Sequence, residues 1–227
     1  FIHENSDYGL DYLTHIKGRL EELGVEVLTV ETYNSGDTDF YAQLTKIKNL
    51  NPDAMVMISY MNEGSQIAKQ RLEVGLDIPV FVTGSCATDD YFDVTGDAVD
   101  GIYTLSFLEP GTANELANTY LENYKAKFGD NSDTFAAATY DAVYIVAEGL
   151  KNAYIANGET WPEDLKAFRD ATRDGIAAIA GFPGIQGEVY WNDYQESAVD
   201  IHWVQWQADG SRTICETIPT ADYADEF

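Results

Sequence analysis

Residues 54–84 read AMVMISYMNEGSQIAKQRLEVGLDIPVFVTG. A continuous apolar run (54–59) gives way to helical spacing from about Asn62 to Val74. The helix stops at Gly75, and a second apolar run follows at 78–84. Apolar stretches without polar alternation suit strands buried on both faces, and strands joined through a helix must run parallel. Reading outward, the same alternation repeats. The chain opens with FIHENSDYG, an apolar β-type start running into a helix whose Leu10, Leu13, Ile16, Leu20 and Leu23 share one face and which ends at Gly24. VEVLTV (25–30) reads as a strand and NSGDTD (34–39) as a turn with a helix cap. Phe40, Leu44, Ile47 and Leu50 give a second helical face closed by Asn51-Pro52-Asp53, and GIYTLSF (101–107) reads as a further strand. The expectation is an α/β fold with a parallel sheet flanked by helices, containing strands at 25–30, 54–59, 79–83 and 101–107.

Beyond LEPGTAN (108–114) the period changes. Leu116, Tyr120, Tyr124 and Phe128 lie on one helical face, and a longer helix follows around YDAVYIVAEGLKNAY (140–154). TWPEDLKAFRDAT (160–172) makes a third, with Thr160 as N-cap and Pro162 in its first turn. Three helices in succession cannot extend the first sheet and need another surface to cover. From Gly184 the texture is β again: GEVYW, a turn at NDYQES, then AVDIHWVQW and a turn at ADGS. Val199, Ile201 and Trp203 alternate with polar neighbours as in an antiparallel edge pair. The acidic tail TADYADEF is expected to fray.

The 227 residues carry 39 Asp and Glu against 13 Lys and Arg, a net charge of −26. That field repels nucleic acid and anionic membranes. The acids are distributed along the whole chain, as in a generally acidic protein or one adapted to high salt. No apolar run is long enough for a membrane-spanning helix. Cys86 and Cys215 lie far apart, outside any zinc or C-x-x-C spacing, and are read either as one long-range disulfide or as two buried free thiols. His3, His15 and His202 are too scattered for a metal set, and His15 reads as a surface residue. Nucleotide-loop and nucleophile-elbow motifs do not occur, so neither a cofactor, a metal nor an enzymatic activity is expected.

Ligands of open parallel sheets sit beyond the carboxyl ends of the strands. Those ends read HENSDYG, SYMNEG and TGSCATDD, and two of them bring a tyrosine to a helix start: Tyr8 and Tyr60. A phenol there can stack on a ligand and donate a hydrogen bond. Asp7 and Asn62, beside them, read most simply as helix-start residues with a lesser claim on a ligand.

The blocks ENSDYGLD, YNSGDTDFYAQLTKIKNLNPDAMVM, AKQRLEVGLDIPVFVTG, TGDAVDGIY and YDAVYIVAEGL, in that order, resemble the later two-thirds of a type I ABC-transporter substrate-binding protein of the leucine/isoleucine/valine-binding family. The resemblance implies the type I periplasmic-binding-protein fold of two α/β lobes closing on a ligand. The second lobe, at 1–108 and 187–227, would be complete. The first would be only partly present, as the helices of 109–186 without their sheet, so that the chain is a fragment. Crossovers would fall near Leu108–Pro110 and at Gly184–Gly187. It further implies an exported protein in the periplasm or outside the cell, lipid-anchored in some members, that delivers a small solute to a membrane permease. A ligand-sensing domain of the same fold in a receptor or an amide-responsive regulator is the alternative. Tyr8 and Tyr60 fall where the family has ligand-contacting tyrosines. Gly84 or Ser85 falls where amino-acid binders carry a carboxylate, with Asp89 and Asp90 the only nearby substitutes. An amide, a urea-like compound or an organic acid therefore fits as well as an amino acid.

Overall fold

The computed structural model describes residues 1–109, 114–192, 195–197 and 199–220; Pro110 and most of the acidic tail lie outside them. Two compact units divide the chain, Phe1–Ser106 with Trp203–Glu216, and Phe107–His202 with Thr217–Phe227.

In the first unit, strands β1 (Ile2–Glu4), β2 (Glu31–Tyr33), β3 (Met55–Ile58), β4 (Val80–Val82) and β5 (Ile102–Ser106) alternate with helices α1 (Asp7–Glu22), α2 (Tyr41–Asn49), α3 (Met61–Glu73) and α4 (Asp89–Thr95). The sheet order is β2-β1-β3-β4-β5 followed by β8 (Ile201–Trp206) and β9 (Arg212–Ile218). The pairings from β2 through β5 are all parallel, as the alternation requires. β8 and β9 are neighbours joined by the short turn at 207–211, which only an antiparallel pair allows.

One core is built from strand residues Ile2, Met55, Met57, Val80, Val82 and Ile102 together with Phe40, Leu44 and Ile47 of the α2 segment, Ile67 and Ala68 of α3, Tyr91 of α4 and Trp206. The strand residues pointing the other way, Val56, Phe81, Leu105 and Trp203, are only half-buried. They line an open groove with Tyr12, Ile16 and Leu20 of α1. Helix α1 is held close to β1 through Gly9, where an added Cβ would lie 1.9 Å from the Glu4 carbonyl oxygen.

Several sequence expectations need correction. Residues 25–30 are not a strand; the β2 ladder begins at Glu31, because Ile2 pairs with Glu31 and residues 25–28 run past the start of β1. On β8 the buried residues are His202, Val204 and Trp206 rather than Ile201 and Trp203, whose face meets the open groove. Helix α7 (Leu165–Ala177) is capped by Asp164, whose carboxylate accepts from the Ala167 N–H at 2.8 Å. Thr160 instead bonds to Asn157. Helix α2 begins after Phe40 without a side-chain cap; the Phe40 N–H donates to Gln70 Oε1. Both cysteines are free thiols, but only Cys86 is buried; Cys215, on edge strand β9, is exposed rather than buried.

In the second unit, α5 (Glu115–Phe128), α6 (Thr134–Ala156) and α7 appear in the expected succession. α6 and α7 meet at Gly149 and Gly175, where a Cβ on Gly175 would lie 2.1 Å from the Gly149 carbonyl oxygen. Phe135, Val143, Tyr144 and Val146 of α6 remain exposed. β6 (Phe182–Gly184) and β7 (Gly187–Val189) form a separate antiparallel ribbon, so Gly184–Gly187 is a tight turn. Its Ile185 and Gln186 N–H groups donate to the buried Asp141 carboxylate.

Candidate functional site

Parallel strands in register end at one level, and the β3–β4 pairing of Met57 with Val82 brings Ser59 beside the Thr83–Ser85 segment. The chain therefore delivers three hydroxyls and two phenols to the carboxyl edge of the sheet. Tyr8 comes from the first turn of α1, whose N-cap Ser6 accepts from the Gly9 N–H at 3.2 Å. Tyr60 is the N-cap residue of α3 and is 46% exposed. Their rings stack with centroids 4.6 Å apart at 21°, and Tyr12 extends the aromatic surface at 4.9 Å from Tyr8. Gly84–Cys86 form a single 3-10 turn beyond β4, which sets Ser85 beside Thr83.

The hydrogen bonds beneath the rings have a fixed direction. A carbonyl oxygen cannot donate, so Thr83 Oγ1 donates to Ser59 O at 3.2 Å and the Ser85 hydroxyl donates to the same oxygen. With the Thr83 proton spent, Tyr8 is the donor in its 2.8 Å contact with Thr83 Oγ1. Tyr33 donates to Ser59 Oγ at 2.8 Å, and Ser59 Oγ in turn donates to Tyr60 O at 2.9 Å. The hydroxyl protons of Tyr8, Ser59, Thr83 and Ser85 are thus committed inward, so that towards a ligand the oxygens of Tyr8 and Ser85 can only accept. Burial pushes the Tyr8 phenol above its ordinary pKa, against the opposing hydrogen bonds of Thr83 and Ser85. The phenol is therefore neutral at physiological pH.

Tyr8, Tyr60, Gly84 and Ser85 are thus gathered at one strand edge. Asp7 and Asn62 are exposed first-turn residues of α1 and α3. Asp89 is committed elsewhere: the Arg212 guanidinium donates to it at 3.1 Å, and both Asp89 and Asp90 are exposed on the first turn of α4. The expectation that the phenols offer a donor is reversed for Tyr8, whose proton goes to Thr83. Sequence reasoning passed over Ser59, Thr83 and Tyr33. Ser59 and Thr83 are each the first polar residue after a buried strand, and that position was the available signal. Among the described residues no group of His, Cys, Asp and Glu could hold a metal ion, and no helix is long and apolar enough to cross a membrane.

The family model described as Periplasmic binding protein matches residues 1–211. The leucine-, isoleucine-, valine-, threonine- and alanine-binding protein of Pseudomonas aeruginosa is 29% identical over 214 residues, covering 93% of this chain and 54% of that protein. Among solved structures, a leucine-binding protein from Thermotoga maritima superposes with a TM-score of 0.86 at 22% identity, over 97% of this chain and 60% of its own. A solute-binding protein of an ABC transporter from R. palustris, in complex with benzoate, gives 0.82 at 20% identity, over 96% of this chain and 57% of its own. At such identities the structures show the fold alone. The chain spans about half the length of the curated relatives it matches. With the family model covering nearly its full length and the sheet topology agreeing, the chain belongs to the periplasmic binding protein family.

Proposed function

We propose that the chain is part of an extracytoplasmic solute-binding component of an ABC uptake transporter, and that its first unit forms one wall of the ligand site. The observation that carries this reading is the acceptor shelf under the stacked Tyr8–Tyr60 pair, where the hydroxyl protons of Tyr8 and Ser85 point into the protein and their oxygens can only accept towards a ligand. Such a wall suits the N–H donor end of a small polar solute, an ammonium or an amide, packed against an aromatic face. Amino acids and amides fit it best. An organic acid would present its carboxylate to the opposite wall, formed by parts of the parent protein that precede this chain. Without a carboxylate at Ser85, recognition of an ammonium rests on neutral acceptors, which give a weaker bond than an ion pair.

Residues 1–108 and 187–227 are assigned to the second lobe, and 109–186 to the helical part of the first. Binding is non-covalent, and the loaded protein is handed to a membrane permease. The names of the relatives support amino-acid transport, and the benzoate complex supports a wider range of solutes on the same fold. Calorimetry of the full-length parent protein against amino acids, amides and small organic acids tests the reading. Tyr8→Ala and Tyr60→Ala should each weaken binding while leaving the fold intact; unchanged affinity in both variants removes these residues from the site.

A further inference from the structure

The acceptor shelf carries no carboxylate of its own, but two lie beneath it. Glu4 closes β1 and pairs with Tyr33 in the β1–β2 ladder, so the two side chains share one face of the sheet, that of the core under α2 and α3. Both are buried, Glu4 at 4% and Tyr33 at 2% exposure. Tyr33 reaches past β1 to the end of β3, where it donates to Ser59 Oγ at 2.8 Å, and the Ser59 carbonyl is the oxygen on which the Thr83 and Ser85 hydroxyls converge. Glu63 lies in the first turn of α3, just after Tyr60. It is 8% exposed, and its Oε1 accepts from the Gly36 N–H at 2.9 Å. Both carboxylates stand close enough to the Tyr33 phenol to oppose its ionisation, adding to the effect of burial.

What these two acids lack is a cation. Among the described residues neither Glu4 nor Glu63 has a Lys, Arg or His partner. Glu4 Oε2 is sealed from solvent and accepts no hydrogen bond. Exposed acids are screened by water and salt, whereas a buried one projects its field through the protein. A buried carboxylate without a partner is also costly to fold around, and a glutamine of the same shape would lower that cost. The arrangement gains from a positive charge placed nearby, and the floor above it presents only neutral acceptors.

We infer that Glu4 and Glu63 set the charge preference of the cleft, supplying from beneath the negative charge that the strand edge lacks at Ser85. Affinity for an ammonium over a neutral group of the same shape then depends on these two residues. The inference rests on the Tyr8–Tyr60 edge being one wall of a ligand site, and it adds what that wall selects. Neither glutamate touches the solute; Tyr8 and Ser85 accept from it, and the carboxylates act on it through space. A unit charge roughly 10 Å away, acting through an effective dielectric of about 20, changes the affinity of a cation by roughly ten- to twentyfold.

Calorimetry of the full-length parent protein tests this with leucine, valine and alanine, each beside its 2-hydroxy analogue, in which a neutral hydroxyl replaces the ammonium. Glu4→Gln and Glu63→Gln should each raise the Kd of the amino acids by roughly ten- to twentyfold and change that of the hydroxy acids by less than about twofold. The thermal midpoint of Glu4→Gln should stay level or rise, because an unpartnered buried charge has been removed. A merely structural role would lower that midpoint and weaken both kinds of solute alike, and that result overturns the inference. So do equal affinities of the parent protein for the amino acids and their hydroxy analogues, or failure to bind any of the amino acids. Tyr8→Ala, measured beside the two variants, separates the inference from the reading beneath it. Weaker binding in Tyr8→Ala with no amine-selective loss in either glutamine variant overturns the inference and leaves the site standing; unchanged binding in Tyr8→Ala overturns both.

Discussion

Replacing Tyr8 by Phe deletes one oxygen and keeps the ring, so it separates the hydroxyl relay from the aromatic stack. The ring stays in place over Tyr60, 4.6 Å away. What disappears is the 2.8 Å bond to Thr83 Oγ1 and the acceptor that Tyr8 offers to the cleft. Thr83 keeps its own donation to Ser59 O, so no buried donor is stranded. The stability cost should be only about 0.5–1.5 kcal/mol. Binding responds according to the ligand. An ammonium loses a charge-assisted bond of ~1.5–3 kcal/mol, a roughly ten- to 150-fold rise in Kd. A neutral amide loses ~0.5–1.5 kcal/mol, roughly two- to thirteen-fold. A deaminated acid with no donor at that end loses almost nothing. Calorimetry of the parent protein and its Tyr8→Phe variant against an amino acid, its amide and its deaminated counterpart reads the three cases side by side. An equal loss for the deaminated acid, or an unchanged Kd for the amine, would refute the acceptor shelf.

Alkaline pH should destabilise the first unit. Burial pushes the Cys86 thiol up to about 12 from an ordinary 9.0, so the unfolded chain gives up this proton first. The contribution is fully present below pH 9 and is lost toward pH 12, at ~1.4 kcal/mol per pH unit. Urea midpoints should therefore fall between pH 9 and 10.5, and less steeply in Cys86→Ala; equal slopes would exclude the thiol. Burial raises the Tyr33 and Tyr91 phenols as well, which keeps a residual slope in that variant. The net charge of −26 should make the thermal midpoint rise with NaCl as the Debye length shrinks from about 30 Å at 0.01 M to about 3 Å at 1 M. A flat series would make the acidity incidental to stability. Gly9→Ala places a methyl 1.9 Å from the Glu4 carbonyl oxygen, so α1 must lift away from β1. A loss of about 1–3 kcal/mol in urea unfolding is expected, and a neutral substitution would show that α1 is not held by this contact.

The parts of the fold legible in the sequence were those decided by local pattern. MVMI and VFV are apolar without alternation, the pattern of central strands of a parallel sheet, and each is closed by a turn into a helix. The misread parts depend on partners. VEVLTV has every property of a strand, but a ladder needs a neighbour, and β1 reaches it only at Glu31. Alternation along β8 is visible in the sequence, but it cannot say which face is covered. Trp203 lies on the open face and packs edge-on against Phe81, while Trp206 is buried with its indole N–H donating to Cys86 O at 3.0 Å. The two phenols of the candidate site stood out in the sequence because tyrosine at a helix start is conspicuous. Ser59 and Thr83 were not, because a hydroxyl after a strand looks like any turn residue. Their meaning comes from register: Met57 opposite Val82 sets Ile58 opposite Thr83 and leaves the Ser59 carbonyl open to two hydroxyls at once. A shift of one residue in that pairing would turn Thr83 to the other face of the sheet and release the Tyr8 proton toward the cleft. The direction of the site's hydrogen bonds, and with it the class of ligand it suits, is thus set by strand pairing as much as by the identity of the residues at the edge.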